Sequence, residues 1–308
     1  MKLPKFVLDG GFNWASKGYH YDLSEADRAR IGSHANLDSP WEFLANAVEK
    51  AKVGDFSSVA MIRNLFNGKY ETNVAPSALL ITGDQGSQTD LVALTDVMTS
   101  GPDGLKAFAC QAARNSGCLW LVPHMLAAWE TCSGVDAHAQ IGFAIADLLD
   151  VTVALDEIGA IGAAADCYDS PLEPGTSSGI SELKLRIRSR RTNAEFGSVV
   201  RERFAEVLEL CESDRVAVWG GSVFNVRRLC SEFLSSVTAP TFNFTQFPLT
   251  VVLREKIEAS TGINCSNWYS GGRFVQGEAV HRIEEYLESE GSLKFSDGRR
   301  YFFGHPLS

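Results

Sequence analysis

Residues able to do chemistry are plentiful in this chain, but few stand at a spacing that a reaction needs. The six histidines are His20, His34, His124, His138, His281 and His305, and none forms an H-E-x-x-H pair or another close ligand spacing. Zinc hydrolysis would need such a pair on one helix face. His124 and His138 could line a site with Cys118 or Cys132, and they read more simply as histidines without a chemical role. No G-x-S-x-G elbow offers a serine nucleophile. Cys265 lies in a polar loop, 264–272, with His281 downstream. A thiol nucleophile also needs a base and an oxyanion site, and the sequence names neither. The glycine-rich runs Gly10-Gly11, Gly83-Asp84-Gln85-Gly86 and Gly271-Gly272 lack the P-loop lysine and the G-x-G-x-x-G order, so they read as turns. Carboxylate pairs such as Asp147 with Asp150, or Asp156 with Glu157, are too common here to mark an acid/base site. No D-x-D-x-D-G loop predicts calcium. The expectation is a protein that binds rather than catalyses, with no cofactor and no metal.

The charge distribution says more. From Tyr70 to Leu183 the chain carries only Lys106 and Arg114 against fifteen Asp and Glu, a net −13. The flanking stretches sum to +1 and +2, so this block sets the whole-chain value of −10. From Asn115 to Leu183 there is no Lys or Arg. A long block of one sign creates a field that repels acids and attracts a basic partner. It argues against direct nucleic-acid binding, which needs a basic face. One local exception is Lys184, Arg186, Arg188 and Arg190, alternating with Leu183, Leu185 and Ile187. That period of two reads as a strand with one basic face, either a solvated edge or a functional stripe.

Length and composition bound the rest. The 308 residues, 45% hydrophobic and 21% charged, allow a real core in one large or two ordinary domains. Seven cysteines, an odd number without a C-x-x-C pair, read as small buried hydrophobes in a reducing compartment. Residues 1–11 lack the apolar core of a signal peptide, and no apolar run approaches the roughly 20 residues that span a bilayer. A cytoplasmic protein with no membrane contact is expected.

The elements that would position these residues are mainly helices. Residues 1–38 form an N-terminal segment in which Ser24 and Asp27 can cap a short helix to about Ile31. Ser39-Pro40 opens a helix to about Lys52. Others are expected over 56–66 and over 74–82, the latter closed by Gly83. Then come two helix pairs that look like repeats. Leu91, Leu94, Thr95 and Met98 share a face, and Val122, Met125, Leu126 and Trp129 follow each counterpart by 31 residues. Leu105, Phe108, Ala109 and Ala112 form the second stripe; Ala137, Ile141, Ala144, Ile145, Leu148 and Leu149 form the next. Pro123 fits if its helix begins near Leu121. Short amphipathic helices at a period in the thirties predict an α-solenoid, and residues 55–165 resemble HEAT-type repeats. The fold class expected is all-α or mainly α. HEAT-like repeats occupy 39–170, a Pro/Gly/Ser-rich linker 171–180, and a mostly helical part 181–308. That last part holds helices near 193–211, 222–237, 248–262 and 278–288, and a possible strand pair involving 215–219.

On the helix from Asp136 to Asp150, the side opposite the apolar stripe reads Asp136, Gln140, Phe143, Asp147 and Asp150. One aromatic among carboxylates is what an interface hot spot looks like, and Phe143 packed on a neighbouring helix is the alternative. Near the C-terminus, Leu253-Arg-Glu-Lys-Ile-Glu-Ala-Ser-Thr-Gly-Ile-Asn-Cys265 and Gly298-Arg-Arg-Tyr-Phe-Phe-Gly-His305 resemble the closing segment of helical immunity proteins from bacterial polymorphic-toxin systems. The resemblance spans about the last 60 residues. It implies a cytosolic antidote for one cognate toxin, often a basic nuclease, and carries no catalytic residues over. The outward stripe would then act with Asp156, Glu157, Asp166, Asp169 and Glu173 as the toxin-binding surface. A HEAT-like scaffold for a basic protein is the competing expectation. The polar loop 264–273, with Trp268 and Tyr269, is the next candidate surface.

Overall fold

A computed structural model describes residues 18–21, 24–33, 40–66, 74–150, 193–238, 247–270 and 273–308. The described chain is mainly helical. Helix α1 spans Glu25–Ser33, α2 Pro40–Lys52 and the short α3 Val59–Ile62, which tightens into a 3-10 turn at Arg63–Leu65. Five longer helices follow within the acidic block: α4 Ala75–Gln85, α5 Gln88–Ser100, α6 Asp103–Ser116, α7 Val122–Thr131 and α8 Val135–Leu149. Later come α9 Asn193–Cys211, α10 Val226–Thr238, α11 Phe247–Thr261 and α12 Gln276–Glu288. Three two-residue hairpins complete the order. They are β1–β2 at Val218–Trp219 and Ser222–Val223, β3–β4 at Tyr269–Ser270 and Arg273–Phe274, and β5–β6 at Tyr301–Phe302 and His305–Pro306.

Local chemistry explains several boundaries. Ser87 accepts from the Asp90 N–H while Asp90 accepts from the Ser87 N–H, a reciprocal cap that starts α5. Pro123 stands in the first turn of α7, where its missing N–H costs no helical bond, and a 3-10 turn at Leu119–Leu121 leads into it. Some boundaries differ from the sequence reading: the helix expected over 56–66 is only the short α3 and its 3-10 turn, and the one expected over 222–237 begins at Val226 because Ser222–Val223 form β2. Gly83 does not end α4; the helix continues to Gln85. A Cβ at Gly83 would stand 2.7 Å from the Ala112 Cα and carbonyl carbon, so the glycine lets α4 and α6 approach at backbone distance. The residues 83–85 are therefore a helix-packing site rather than a turn.

Helix α6 lies between α4 and α8, while α5 and α7 pack over it. The expected apolar stripes supply the core among these helices: Leu91, Leu94, Met98, Ala109, Ala112, Met125, Leu126, Trp129, Ile141, Ile145 and Leu148 are all buried. Phe196, Val200 and Val207 of α9 extend the same cluster. A second cluster joins Tyr19, Ile31, α2, α3 and one face of α4 to Phe302 and Leu307. A third unites Trp219 of β1, Phe224, α10, α11, Trp268, Phe274 and α12. Tyr19, Ile31 and the last residues of the chain thus share a core with helices α2–α4. The basic run 184–190 and the linker 171–180 lie outside the described residues.

Candidate functional site

The predicted stripe on α8 does not face outward along its whole length. Asp136 and Gln140 are exposed, and Gln140 Oε1 accepts from Gln111 Nε2 of α6 at 3.0 Å. Phe143 is half-buried. Asp147 lies 3.5 Å from Arg114 Nη1 with its side chain 9% exposed. Asp150 is 5% exposed and 3.5 Å from Arg203 Nε of α9. Two causes act. A stripe repeating every seven residues drifts by about 20° per heptad around a straight helix, so its far end rotates toward the neighbours. The C-terminal end of α8 is also capped: Gly220 and Gly221, in the β1–β2 turn, donate to the Asp147 and Leu148 carbonyls at 3.1 and 2.8 Å. Asp147 and Asp150 are therefore members of internal ion pairs, which corrects the reading that placed them on an exposed face. Asp156, Glu157, Asp166, Asp169 and Glu173 lie outside the described residues.

Pairing also alters the meaning of the acidic block. Asp84 accepts from the Tyr19 hydroxyl, and Asp90 caps α5. Asp103 accepts from the Ser133 hydroxyl and from the Ser133 and Gly134 N–H groups, which holds its carboxyl below the usual range. Glu130 pairs with Arg201 at 2.6 Å. Several carboxylates in residues 74–150 are thus engaged within the fold: Asp84, Asp90 and Asp103 by neutral donors, Asp147 by Arg114, and Asp150 by Arg203 from far along the chain, while the Glu130–Arg201 pair lies at the surface. Asp96 and Asp136 stand exposed.

A site that the sequence reading missed runs along α11. Leu253, Arg254, Lys256, Ile257, Glu258, Ala259 and Ser260 are all buried, so this polar helix is enclosed nearly all round. A helix so enclosed is normally apolar; here Glu255, Lys256 and Glu258 meet partners on other elements, and Arg254 pairs with Glu258 one turn along the same helix. Glu255 lies 3.5 Å from Arg114 Nη2, and Arg114 Nε and Nη2 also donate to Asn115 Oδ1. Lys256 donates to the Asn115 carbonyl. Arg254 Nη2 lies 3.2 Å from Glu258 Oε2. Arg300 donates to the Gly86 and Gly83 carbonyls at 2.5 and 2.8 Å, closing the C-terminal end of α4. The seam therefore binds the turn at Tyr19, α4, α6, α8, α11 and the segment before β5 to one another.

Burial dominates its electrostatics. It pushes Glu255 and Glu258 up to about 7 and Asp84 up to about 6, although neighbouring cations pull all three back. It pushes Lys256 down to about 8. Carboxyls titrating near neutrality beside a lysine and a tyrosine are what acid/base chemistry uses, but buried structural ion networks shift in the same way. Tyr19 and Glu258 are fully buried, and Asp84 and Lys256 are 7% and 8% exposed, so these groups close on one another. The arrangement fits a structural keystone.

The remaining sequence candidates resolve simply. Cys265 is buried and its thiol is pushed well above the ordinary range by that burial, which disfavours the nucleophilic thiolate. Trp268 stacks on Phe233 with ring centroids 4.9 Å apart, and Tyr269 is buried too, so neither presents an open aromatic surface. His138 packs on Trp129 at 4.1 Å. Among the described residues no group of three His, Cys, Asp or Glu could hold a metal, and no helix is long and apolar enough to cross a membrane. Comparison of the chain with protein-family models, curated proteins and solved structures finds no match.

Proposed function

We propose that this chain is a protein-binding inhibitor of the immunity type, which neutralises a basic toxic enzyme through an acidic surface. The observation that carries the reading is where negative charge remains once internal pairs are discounted. Asp136 and Gln140 are exposed on the first half of α8. The stretch that follows that helix adds Asp156, Glu157, Asp166, Asp169, Glu173 and Glu182, with no Lys or Arg before Lys184. Such a field speeds encounter with a positive partner and disfavours acidic ones. Carboxylates would pair with the basic side chains that a nuclease uses to hold phosphate. The packed helices α4–α8 give a preformed support, so binding need not order the scaffold. The same helices would suit a scaffold for a basic protein.

The test is co-expression of the full chain with the product of the adjacent upstream gene. An inhibitor co-purifies with that product and restores growth, and association slows as salt rises because screening acts over about 10 Å at 0.1 M. Replacing Asp156, Glu157, Asp166 and Asp169 by their amides should slow association without changing the helical fold. Binding without loss of the partner's toxicity would favour the scaffold. Binding that is equally fast at low and high salt would sink the electrostatic reading.

A further inference from the structure

Helices α6 and α8 run side by side in the same direction. Asp103 at the start of α6 accepts from Ser133 and Gly134 just before α8, Gln111 Nε2 donates to Gln140 Oε1 at 3.0 Å, and Arg114 Nη1 meets Asp147 Oδ2 at 3.5 Å. On α8, Asp136, Gln140, Phe143 and Asp147 recur every three or four positions and so share one helical face. Phe108, Gln111 and Arg114 do the same on α6. Together they make a strip about 16 Å long. Two half-buried rings flank the amide bridge at its middle: Phe108 lies one turn before Gln111, and Phe143 one turn after Gln140.

The charge of this strip is one-sided. Helices α6 and α8 carry only two Lys or Arg residues, Lys106 and Arg114. Lys106 is 7% exposed and donates to Thr131 Oγ1 at 3.1 Å. Arg114 is 8% exposed and is shared by Asn115, Asp147 and Glu255. Both cations are therefore spent inside the fold. Asp136 stands exposed at one end of the strip, and at the other two carboxylates, Asp147 and Glu255, share one guanidinium. Rings beside carboxylates suit lysine or arginine, because the aliphatic stem lies on the ring while the charged head reaches the carboxylate. Acidity alone would attract any cation. The two rings add apolar contact that rewards a partner with an apolar edge, and an amphipathic helix laid along a helical face offers both.

We propose that the α6–α8 face is the docking site for one cationic amphipathic helix, about three turns long, carried by the protein partner. The inference rests on the reading of this chain as a binder of a basic protein, and names the element of that partner which is recognised. The partner helix lays an aliphatic row across the Gln111–Gln140 bridge, between Phe108 and Phe143. Its lysines or arginines turn toward Asp136 at one end and toward Asp147 and Glu255 at the other.

The test titrates the full chain, at low salt, into a fluorescein-labelled amphipathic helix of leucine and lysine, and into a counterpart with glutamate in place of lysine. Anisotropy should show saturable binding of the lysine peptide alone. Gln140→Arg alters an exposed residue and should weaken binding about tenfold. Phe143→Ala should weaken it about thirtyfold, the loss typical of a central anchor. Asp96→Asn removes an exposed charge on α5 and should change nothing. Carbodiimide coupling of the bound lysine peptide to the native chain should join it to Asp136. Three results would overturn the face: equal binding of the two peptides, equal losses in Asp96→Asn and Gln140→Arg, or coupling to carboxylates of α9 or α12 instead of Asp136. The first and last need no variant, so a folding defect in Phe143→Ala leaves the test intact. The inhibitor reading fails separately. An upstream gene product that co-purifies equally with the native chain and with Gln140→Arg refutes this face and spares that reading. A lysine peptide coupled to Asp136, with no such product co-purifying, supports the face and removes the inhibitor.

Discussion

Gly83→Ala tests how closely α4 and α6 pack. In an exposed helix interior, glycine to alanine stabilises by about 0.5–1 kcal/mol, because alanine restricts the unfolded chain and favours the helix. At Gly83 the added methyl meets backbone. It would lie 2.7 Å from the Ala112 Cα and carbonyl carbon. Backbone cannot rotate away as a flexible side chain can, so α4 and α6 must separate. Overpacking of this kind costs about 1–3 kcal/mol, occasionally more. Separation would also pull the Gly83 carbonyl from Arg300, which donates to it at 2.8 Å within a buried seam, and a lost buried hydrogen bond costs about 1–3 kcal/mol. The net expectation is a loss of about 2–4 kcal/mol, propensity included. Urea denaturation followed by far-UV circular dichroism measures it, provided the slope with denaturant is unchanged. Gly104→Ala is the control. It stands in the first turn of α6 with nothing within 4 Å of a new Cβ, so its effect should run from neutral to a gain of about 1 kcal/mol. If Gly83→Ala also stabilises, the two backbones are not in contact, and the account of α4 passing through this glycine fails.

Further outcomes follow from burial and charge. Asp150→Lys removes a buried carboxylate and sets a cation beside Arg203, so stability should drop by about 3 kcal/mol, whereas exposed Asp136→Lys should stay within about 0.5 kcal/mol and only slow association with a basic partner; equal stability losses would show that the two do not differ in burial. Glu255 is raised to about 7 by burial, so the fold holds its proton more tightly than the unfolded chain does. Its contribution is therefore full below its ordinary range and is lost as pH rises to about 7. Glu255→Gln should gain on the native chain between pH 5 and 7, by a few kcal/mol at most, and a constant difference across that window would mean the carboxyl titrates normally.

Helix positions were legible because their causes are local. Apolar spacing placed α5 through α8, Pro40 and Pro123 marked first turns, and α9 runs from Asn193 to Cys211 as its pattern indicates. Each of these signals acts over three or four residues, which is the reach of a helical turn. Charge pairing has no such reach limit. The acidic block reads as an uncompensated field along the sequence, yet Asp150 meets Arg203 and Glu130 meets Arg201. Residues 254–258 carry four charges in five positions, and nothing in the chain marks them as enclosed, yet Arg114 and Asn115 of α6 and the backbone of the N-terminal turn meet them in the fold. Gly83 looks like a stop signal until the Ala112 backbone stands against it. Where helices form is readable along the chain, because it depends on neighbours in sequence. Which charges are spent inside the fold and which face solvent was decided by tertiary structure, because burial and ion pairing depend on neighbours in space.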